Sequence, residues 1–242
     1  MALKIIGYQS KKFKISYEIT NKAQKKAILF LHGWGSSKEL MKQAFGKLLS
    51  DYRHIYVDLP GFGRSSCDIP LRSEDYAKIL RIFLEQIEAD PKIIVGHSFG
   101  GKVATLLNPQ LLVLLSSAGI TWPKPLKIRL KIAVYKLIKP LGKGFRNVFV
   151  SQDAKNMSEI MYQTFKNVVD ENFRNIFSVY TGKALLFWGK EDSATPLKSA
   201  YEIKKLMKNS ELYILDGDHY FFLHHTNFIA QKIKETYEKM SM

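Results

Sequence analysis

The sequence predicts an α/β fold, in which a mostly parallel central sheet carries helices on both faces. Seven short apolar runs alternate with segments of helical periodicity, and each run ends in glycine or polar turn residues. Such alternation is typical of a parallel sheet with crossover helices. The predicted strands cover residues 14–17, 27–31, 54–57, 92–95, 111–115, 184–188 and 211–215. Ligands bind beyond the carboxyl ends of such strands, so the turns there are the first candidates for a site.

The segments between the strands predict the helices and one insertion. Apolar residues recur at i, i+3 and i+4 over residues 73–88, which predicts a helix. Residues 119–182 contain no convincing strand. We therefore predict an α/β core at 1–118 and 183–242, with an inserted helical cap at 119–182. Within that cap, 126–141 favours a helix, although the alternation at 126–132 would also suit a strand, and 157–180 predicts one or two further helices.

Composition sets the broad class of the protein. The 242 residues, 46% of them hydrophobic, can bury a sizeable core. Cys67 is the only cysteine, so no intramolecular disulfide can form, which is compatible with a reducing compartment. The N-terminal stretch lacks the apolar core of a signal peptide, and the longest apolar run is too short to span a bilayer. We expect a cytoplasmic protein.

The formal charge of +15 raises the question of an anionic partner. Only seven of the 37 basic residues are arginine, the side chain best suited to bidentate phosphate recognition, and we expect no nucleic-acid partner. Basic residues concentrate in the predicted cap, and they could attract an acidic carrier protein or an anionic membrane surface; the alternative is a solvated helix face. They are Lys124, Lys127, Arg129, Lys131, Lys136, Lys139, Lys143 and Arg146.

The stretch KIIVGHSFGGKVA, residues 92–104, is a strand followed by a tight glycine turn and a helix start. Two different sites share that plan. A phosphate-binding loop would need Ser or Thr after Lys102 to bind Mg²⁺, and Val103 cannot do so. We therefore expect no metal and no cofactor at this turn.

The same stretch completes the nucleophile elbow G-x-S-x-G, with Gly96, Ser98 and Gly100. The glycines allow a sharp turn that exposes Ser98 at the strand end, while the Phe99 N–H at the helix start faces the same space. The motif alone is weak, so the chain must also supply a base, an acid and a second oxyanion donor.

Those groups follow the other strands in a suitable order. His219 comes after the last strand in LDGDHYFF and is the candidate base, whereas His224 and His225 are poorer candidates. Asp192 follows the strand at 184–188 and is the candidate acid, with Glu191 as its rival. The turn HGWG offers the N–H of Trp34 as the second oxyanion donor.

The remaining histidines have simpler interpretations. His32 and His97 lie inside the turns themselves, and we interpret both as structural. A metal cluster of His219 with His224 and His225 lacks cysteines and a matching ligand spacing, so we predict no metal site.

Together these residues resemble the α/β-hydrolase family. The resemblance rests on HGWG at 32–35, DLPGFGRS at 58–65, GHSFGG at 96–101, GKEDSATP at 189–196 and GDH at 217–219, in the family order Ser, Asp, His. It implies Ser98 as nucleophile, Asp192 as acid and His219 as base, with Trp34 and Phe99 in the oxyanion hole. The loop at 58–65 is usually structural in the family.

Among family members, the chain most resembles pimeloyl-[acyl-carrier-protein] methyl ester esterases. The leading hypothesis is therefore a serine hydrolase that cleaves a small-molecule or carrier-borne carboxylic ester through an acyl-enzyme. The alternative is a carbon–carbon bond hydrolase of a 2-hydroxy-6-oxo-dienoate, which uses the same triad. A third possibility is a non-catalytic binding protein on the same scaffold.

Overall fold

A computed structural model gives the structure of the protein and describes residues 1–123 and 157–240. Within these ranges, the strands are β1 (Ala2–Tyr8), β2 (Lys11–Thr20), β3 (Ala27–Leu31), β4 (Arg53–Val57), β5 (Ile93–His97), β6 (Leu111–Leu115), β7 (Lys183–Gly189) and β8 (Ser210–Leu215). The α-helices are α1 (Lys38–Phe45), α2 (Ser73–Gln86), α3 (Phe99–Leu107), α4 (Glu159–Val169), α5 (Arg174–Val179), α6 (Leu197–Leu206) and α7 (Thr226–Met240), and Phe221–Leu223 forms a 3₁₀ helix.

The eight strands described form one sheet in the order β1-β2-β4-β3-β5-β6-β7-β8. The first two pairings are antiparallel, and the pairings from β4 to β8 are parallel. The parallel strands end together, since Gly96 near the end of β5 pairs with Leu31 on one side and Leu114 on the other. The turns after β3, β5, β7 and β8 therefore meet at one edge of the sheet.

Both faces of the sheet are covered, because the central strands are apolar on both sides. All five residues of β3, β5 and β6 are buried, as expected for strands between two helical layers. One hydrophobic cluster packs the sheet against α2, α3 and α6, together with residues of α4 and α5. The other packs it against α1 and α7. The predicted mostly parallel sheet with helices on both faces is confirmed.

The first strand was not predicted from the sequence. Leu3 and Ile5 are exposed and Ile6 is buried, so the apolar residues of β1 do not lie on one buried face. This strand pairs only with β2, at the edge of the sheet. An edge strand with little buried surface leaves a weak periodic signal.

The predicted cap is described only in its last part. Two helices, α4 and α5, lie within 157–180, where one or two were predicted. The segment at 126–141 and the eight basic residues of the cap lie outside the described residues. The division into core and cap stays a prediction. In the part of the chain that the structure describes, no helix combines the length and apolar character needed to cross a membrane.

Candidate active site

Ser98 stands in the turn between β5 and α3 with a strained backbone. Its φ is 51° and its ψ is −114°, a region that side-chain-bearing residues seldom occupy. The Ser98 N–H donates to the Leu115 carbonyl at 3.0 Å, and its carbonyl accepts from the Ala118 N–H at 3.0 Å. A Cβ on Gly96 would lie 2.5 Å from the Gly100 carbonyl oxygen, so the turn requires glycine there. The sharp glycine turn between strand and helix that the sequence predicts is present.

Asp192 and His219 meet at the same edge of the sheet. Asp192 lies in the turn after β7 and His219 in the turn after β8, and Asp192 Oδ2 is 2.8 Å from His219 Nδ1. An ionised carboxylate only accepts hydrogen bonds, so Nδ1 carries a proton. In the neutral form of the ring, Nε2 is then the nitrogen that can accept a proton. This is the tautomer that a general base needs.

The Asp192 carboxylate is held by its own turn. Oδ1 accepts from the N–H groups of Ala194 and Thr195 at 2.9 and 2.8 Å, and the Thr195 hydroxyl donates to Oδ2 at 2.8 Å. Burial by itself would raise the pKa of Asp192, but the hydrogen bonds from His219 and from the Thr195 N–H outweigh it and lower the pKa to about 2. The group is therefore a fixed anion at neutral pH.

His97 supports the turn that carries His219. Its Nε2 lies 3.0 Å from the His219 carbonyl oxygen, and the two ring centroids are 4.7 Å apart. Burial lowers the pKa of His97 to about 3, so the ring is neutral and Nε2–H is the donor. From the sequence, His97 was interpreted as structural. The contact on which that role depends is the hydrogen bond from His97 to the His219 carbonyl.

A cavity of about 270 Å³ opens beside the serine. Ser98, Trp34, Phe99 and Thr195 line it together. Among the described residues, no hydrogen bond joins the Ser98 hydroxyl to the His219 ring. Such bonds often form only when substrate is bound.

The two predicted oxyanion donors both line this cavity. Their side chains pack edge to face, with ring centroids 5.5 Å apart. Phe99 is the first residue of α3, so its N–H is one of those that a helix start leaves without an intrahelical acceptor. The Trp34 turn is anchored by His32, whose Nδ1 lies 2.8 Å from the Gly33 carbonyl and whose Nε2 accepts from the Leu59 N–H at 3.0 Å.

The rival residues lie elsewhere. Glu191 accepts a hydrogen bond from the Gly217 N–H at 2.7 Å rather than from His219, and His225 Nε2 lies 2.9 Å from the Asp216 carbonyl. Burial raises the pKa of Cys67 to about 11, so its thiol is not nucleophilic. Within 1–123 and 157–240, no group of three potential ligands could hold a metal ion.

The loop at 58–65 is structural, as the resemblance implies. Asp58 is buried and accepts hydrogen bonds from the N–H and the ammonium of Lys38, at 2.8 and 2.7 Å, and from the Arg64 N–H at 3.1 Å. Despite its burial, which opposes ionisation, the Lys38 contacts lower the pKa of Asp58. None of these groups lines the cavity beside Ser98.

Sequence reasoning missed Thr195 and Lys102. Thr195 stands three residues after Asp192, and a hydroxyl at that spacing in a turn is a general signal for local capping of a carboxylate. Lys102 was considered only as part of a phosphate-binding loop, and nothing in the sequence indicates that it is buried in the wall of the cavity.

Comparisons with known proteins show the family to which the chain belongs. A sequence profile described as the alpha/beta hydrolase family matches residues 28–231. The chain belongs to the alpha/beta hydrolase family. It is 27% identical to AB hydrolase superfamily protein YisY of Bacillus subtilis, over 76% of this chain and 81% of that protein.

Two further similarities involve proteins described as esterases. The chain is 24% identical to a pimeloyl-[acyl-carrier protein] methyl ester esterase of Vibrio parahaemolyticus, over 84% of this chain and 91% of that protein. A thermophilic esterase from Thermogutta terrifontis superposes with a TM-score of 0.74 at 17% identity, covering 99% of both chains. The structural likeness supports the alpha/beta hydrolase fold and does not by itself identify a substrate.

Proposed function

We propose that this alpha/beta hydrolase cleaves carboxylic esters through an acyl-enzyme on Ser98. The observation that carries the proposal is the Asp192–His219 hydrogen bond of 2.8 Å, formed at the same sheet edge as the strained Ser98 turn. The similarity to esterases in the family supports the choice of an ester as substrate.

In the proposed first half-reaction, His219 Nε2 takes the proton from the Ser98 hydroxyl as its oxygen attacks the ester carbonyl carbon. Asp192 holds Nδ1–H and stabilises the resulting imidazolium. The tetrahedral intermediate collapses as its C–O bond to the alcohol breaks, and His219 returns the proton to the leaving alcohol. The acyl group stays on Ser98.

Water completes the cycle by the same route. His219 accepts a proton from water as the water oxygen attacks the acyl carbon, and the proton then passes to Ser98 as the acid leaves. In both halves the negative oxygen would accept hydrogen bonds from the N–H groups of Trp34 and Phe99. Each such donor contributes about 10²–10³-fold to the rate in related chemistry.

The test is covalent labelling with a fluorescent fluorophosphonate, together with turnover of p-nitrophenyl butyrate. We expect labelling of the wild type and its loss in Ser98→Ala, His219→Gln and Asp192→Asn, in parallel with the loss of turnover. Ser178→Ala is the matched control, because Ser178 is an exposed residue of α5 whose hydroxyl donates to the Asn175 carbonyl of the same segment.

The outcomes separate the three functions considered. Labelling without ester turnover, combined with loss of absorbance of a 2-hydroxy-6-oxo-dienoate, would replace ester hydrolysis by carbon–carbon hydrolysis. Folded wild-type protein that neither labels nor turns over any of these substrates would support a binding protein on the hydrolase scaffold.

A further inference from the structure

Lys102 is a lysine buried beside the proposed nucleophile. It lies four residues after Ser98 on α3, which is about one helical turn, or roughly 6 Å along the axis. Its side chain is 2% exposed, and it lines the same cavity as Ser98. Lysine is seldom buried without a partner, so the surroundings of the ammonium decide what this side chain does.

Three groups surround the Lys102 ammonium, one from the last turn of α4 and two from the segment between α4 and α5. It donates to the Val168 carbonyl at 2.6 Å and to Glu171 Oε2 at 2.8 Å, and it lies 4.6 Å from the centre of the Phe173 ring. Val168 belongs to the last turn of α4, where carbonyl groups lack intrahelical donors. An ammonium has three N–H donors, and these two acceptors take two of them, while the Phe173 ring faces the cation.

Glu171 is in turn tied to the core. It accepts hydrogen bonds from the N–H and the hydroxyl of Ser73, the first residue of α2. The Lys102–Glu171 pair therefore links α2 and α3 to the segment that follows α4. Because desolvation of the ammonium opposes its charge, burial lowers the pKa of Lys102, which the neighbouring carboxylate partly offsets.

The rest of the cavity wall is predominantly apolar and carries neutral hydroxyls. The apolar side chains that line it include Trp34, Phe99, Ile120, Phe165, Val168 and Val169. With its cation neutralised by Glu171, Lys102 offers the cavity mainly its four-carbon stem, as amphipathic side chains commonly do. The volume of about 270 Å³ lies just below the range of about 300–1,000 Å³ that is usual for small-molecule sites.

We propose that Lys102, held in place by Glu171, closes one end of the cavity and limits the length of the uncharged, apolar arm of the ester that the site accepts. This inference rests on the proposed esterase function. It makes Lys102 a specificity-determining residue that selects a substrate arm by its length and by its lack of charge.

The experiment compares pairs of substitutions that either preserve or remove the Lys102 stem. Lys102→Ala/Glu171→Gln shortens the wall without leaving a buried carboxylate unpaired. Lys102→Met/Glu171→Gln removes both charges and keeps the length of the stem. The readout is kcat/KM for p-nitrophenyl esters from acetate to decanoate and for acetate esters of the corresponding alcohols, so that either the acyl or the alcohol arm can reveal the limit.

In the shortened pair we expect the ratio of long-arm to short-arm kcat/KM to rise about tenfold or more in one of the two series. Each extra methylene buried is worth about fourfold. In the Met/Gln pair we expect the wild-type ratio within about threefold. Lys183→Met is the control, because the Lys183–Glu211 ion pair of 2.6 Å lies at the opposite edge of the sheet, where β7 and β8 begin.

A shortened pair that remains folded and is labelled by fluorophosphonate, yet keeps the wild-type ratio, overturns this inference alone. Equal loss for all esters overturns it as well, because a structural link lowers every rate by one factor. Should the Ala/Gln pair not fold, Lys102→Leu/Glu171→Gln is expected to give a smaller shift in the same direction. A wild type without labelling or ester turnover overturns the proposed function and this inference together.

Discussion

Gly189 offers a sharp test of how closely the site is built, because a side chain there would push against the turn that carries His219. Gly189 is the last residue of β7, three residues before Asp192. A Cβ at this position would lie 2.6 Å from the Gly217 carbonyl oxygen and closer still to that of Asp218. Ordinary contact begins near 3.4 Å, so Gly189→Ala requires the turn to retreat by at least about 0.8 Å.

That retreat is large compared with the tolerance of the Asp192–His219 contact. Lengthening the distance of 2.8 Å by the same amount gives a separation at which no hydrogen bond remains. A misplacement of about 1 Å typically lowers catalysis by about 10²-fold. We expect kcat/KM for p-nitrophenyl butyrate to fall by about that factor in Gly189→Ala, with a smaller loss of fluorophosphonate labelling.

The matched control is Gly7→Ala, since, apart from Gly7 itself and its two chain neighbours, no atom of the described residues lies within 4 Å of a Cβ built on Gly7. Circular dichroism and the melting temperature of both variants establish that the fold is kept. A folded Gly189→Ala protein with kcat/KM within about threefold of the wild type would refute the reasoning. Such a result would show that the close packing of the turn against Gly189 does not limit the position of His219.

Four other predictions address the groups around the site. His97→Leu removes the N–H that donates to the His219 carbonyl and is expected to lower kcat about tenfold. His97→Gln keeps a donor and is expected to retain most of the wild-type kcat. An equal loss of kcat in both variants would contradict the positioning role of His97. The pKa of Asp192 is lower in the folded state than in the unfolded state, so its contribution to stability is present above about pH 4 and is lost as the pH falls towards 2. In urea unfolding, the free energy of unfolding of the wild type should fall by about 2 kcal/mol over that pH interval. Asp192→Asn should lack this loss. Thr195→Val removes the hydroxyl that donates to Asp192 Oδ2 and should lower kcat about tenfold with little change in KM, as measured by steady-state kinetics on p-nitrophenyl butyrate. Lys38→Met leaves the buried Asp58 carboxylate without its ion-pair partner and should lower the free energy of unfolding by about 3–5 kcal/mol, while Lys92→Met, at an exposed pair, should change it by less than about 1 kcal/mol.

The parallel part of the sheet was predictable because its strands are buried on both faces. A run such as 111–115 is apolar throughout and is bounded by turn residues, and the structure gives β6 the same limits. The sharp turn at Ser98 was predictable for a related reason, because such a turn after a strand leaves no room for a side chain at position 96 and therefore requires glycine there. Requirements that a local stretch of backbone places on its own residues can therefore be recognised in the sequence.

Contacts between side chains that are far apart in the chain produce no comparable sequence pattern. His97 and Lys102 act through partners that are distant in the chain. The Lys102–Glu171 pair joins residues 69 positions apart, and no periodic pattern connects them. A buried lysine has the same sequence signature as a solvated one, so its place in the cavity wall required the structure.

The distances along the chain between the site residues have a consequence for how the protein folds. Asp192 and His219 are 27 residues apart, and the His97–His219 contact spans 122 residues. Parallel strands cannot be joined by hairpins, so each of these contacts closes a long loop, and proteins rich in such contacts fold slowly. During refolding, recovery of fluorophosphonate labelling should therefore lag behind the appearance of helical circular dichroism, which makes the serine a reporter of the last strands to join the sheet.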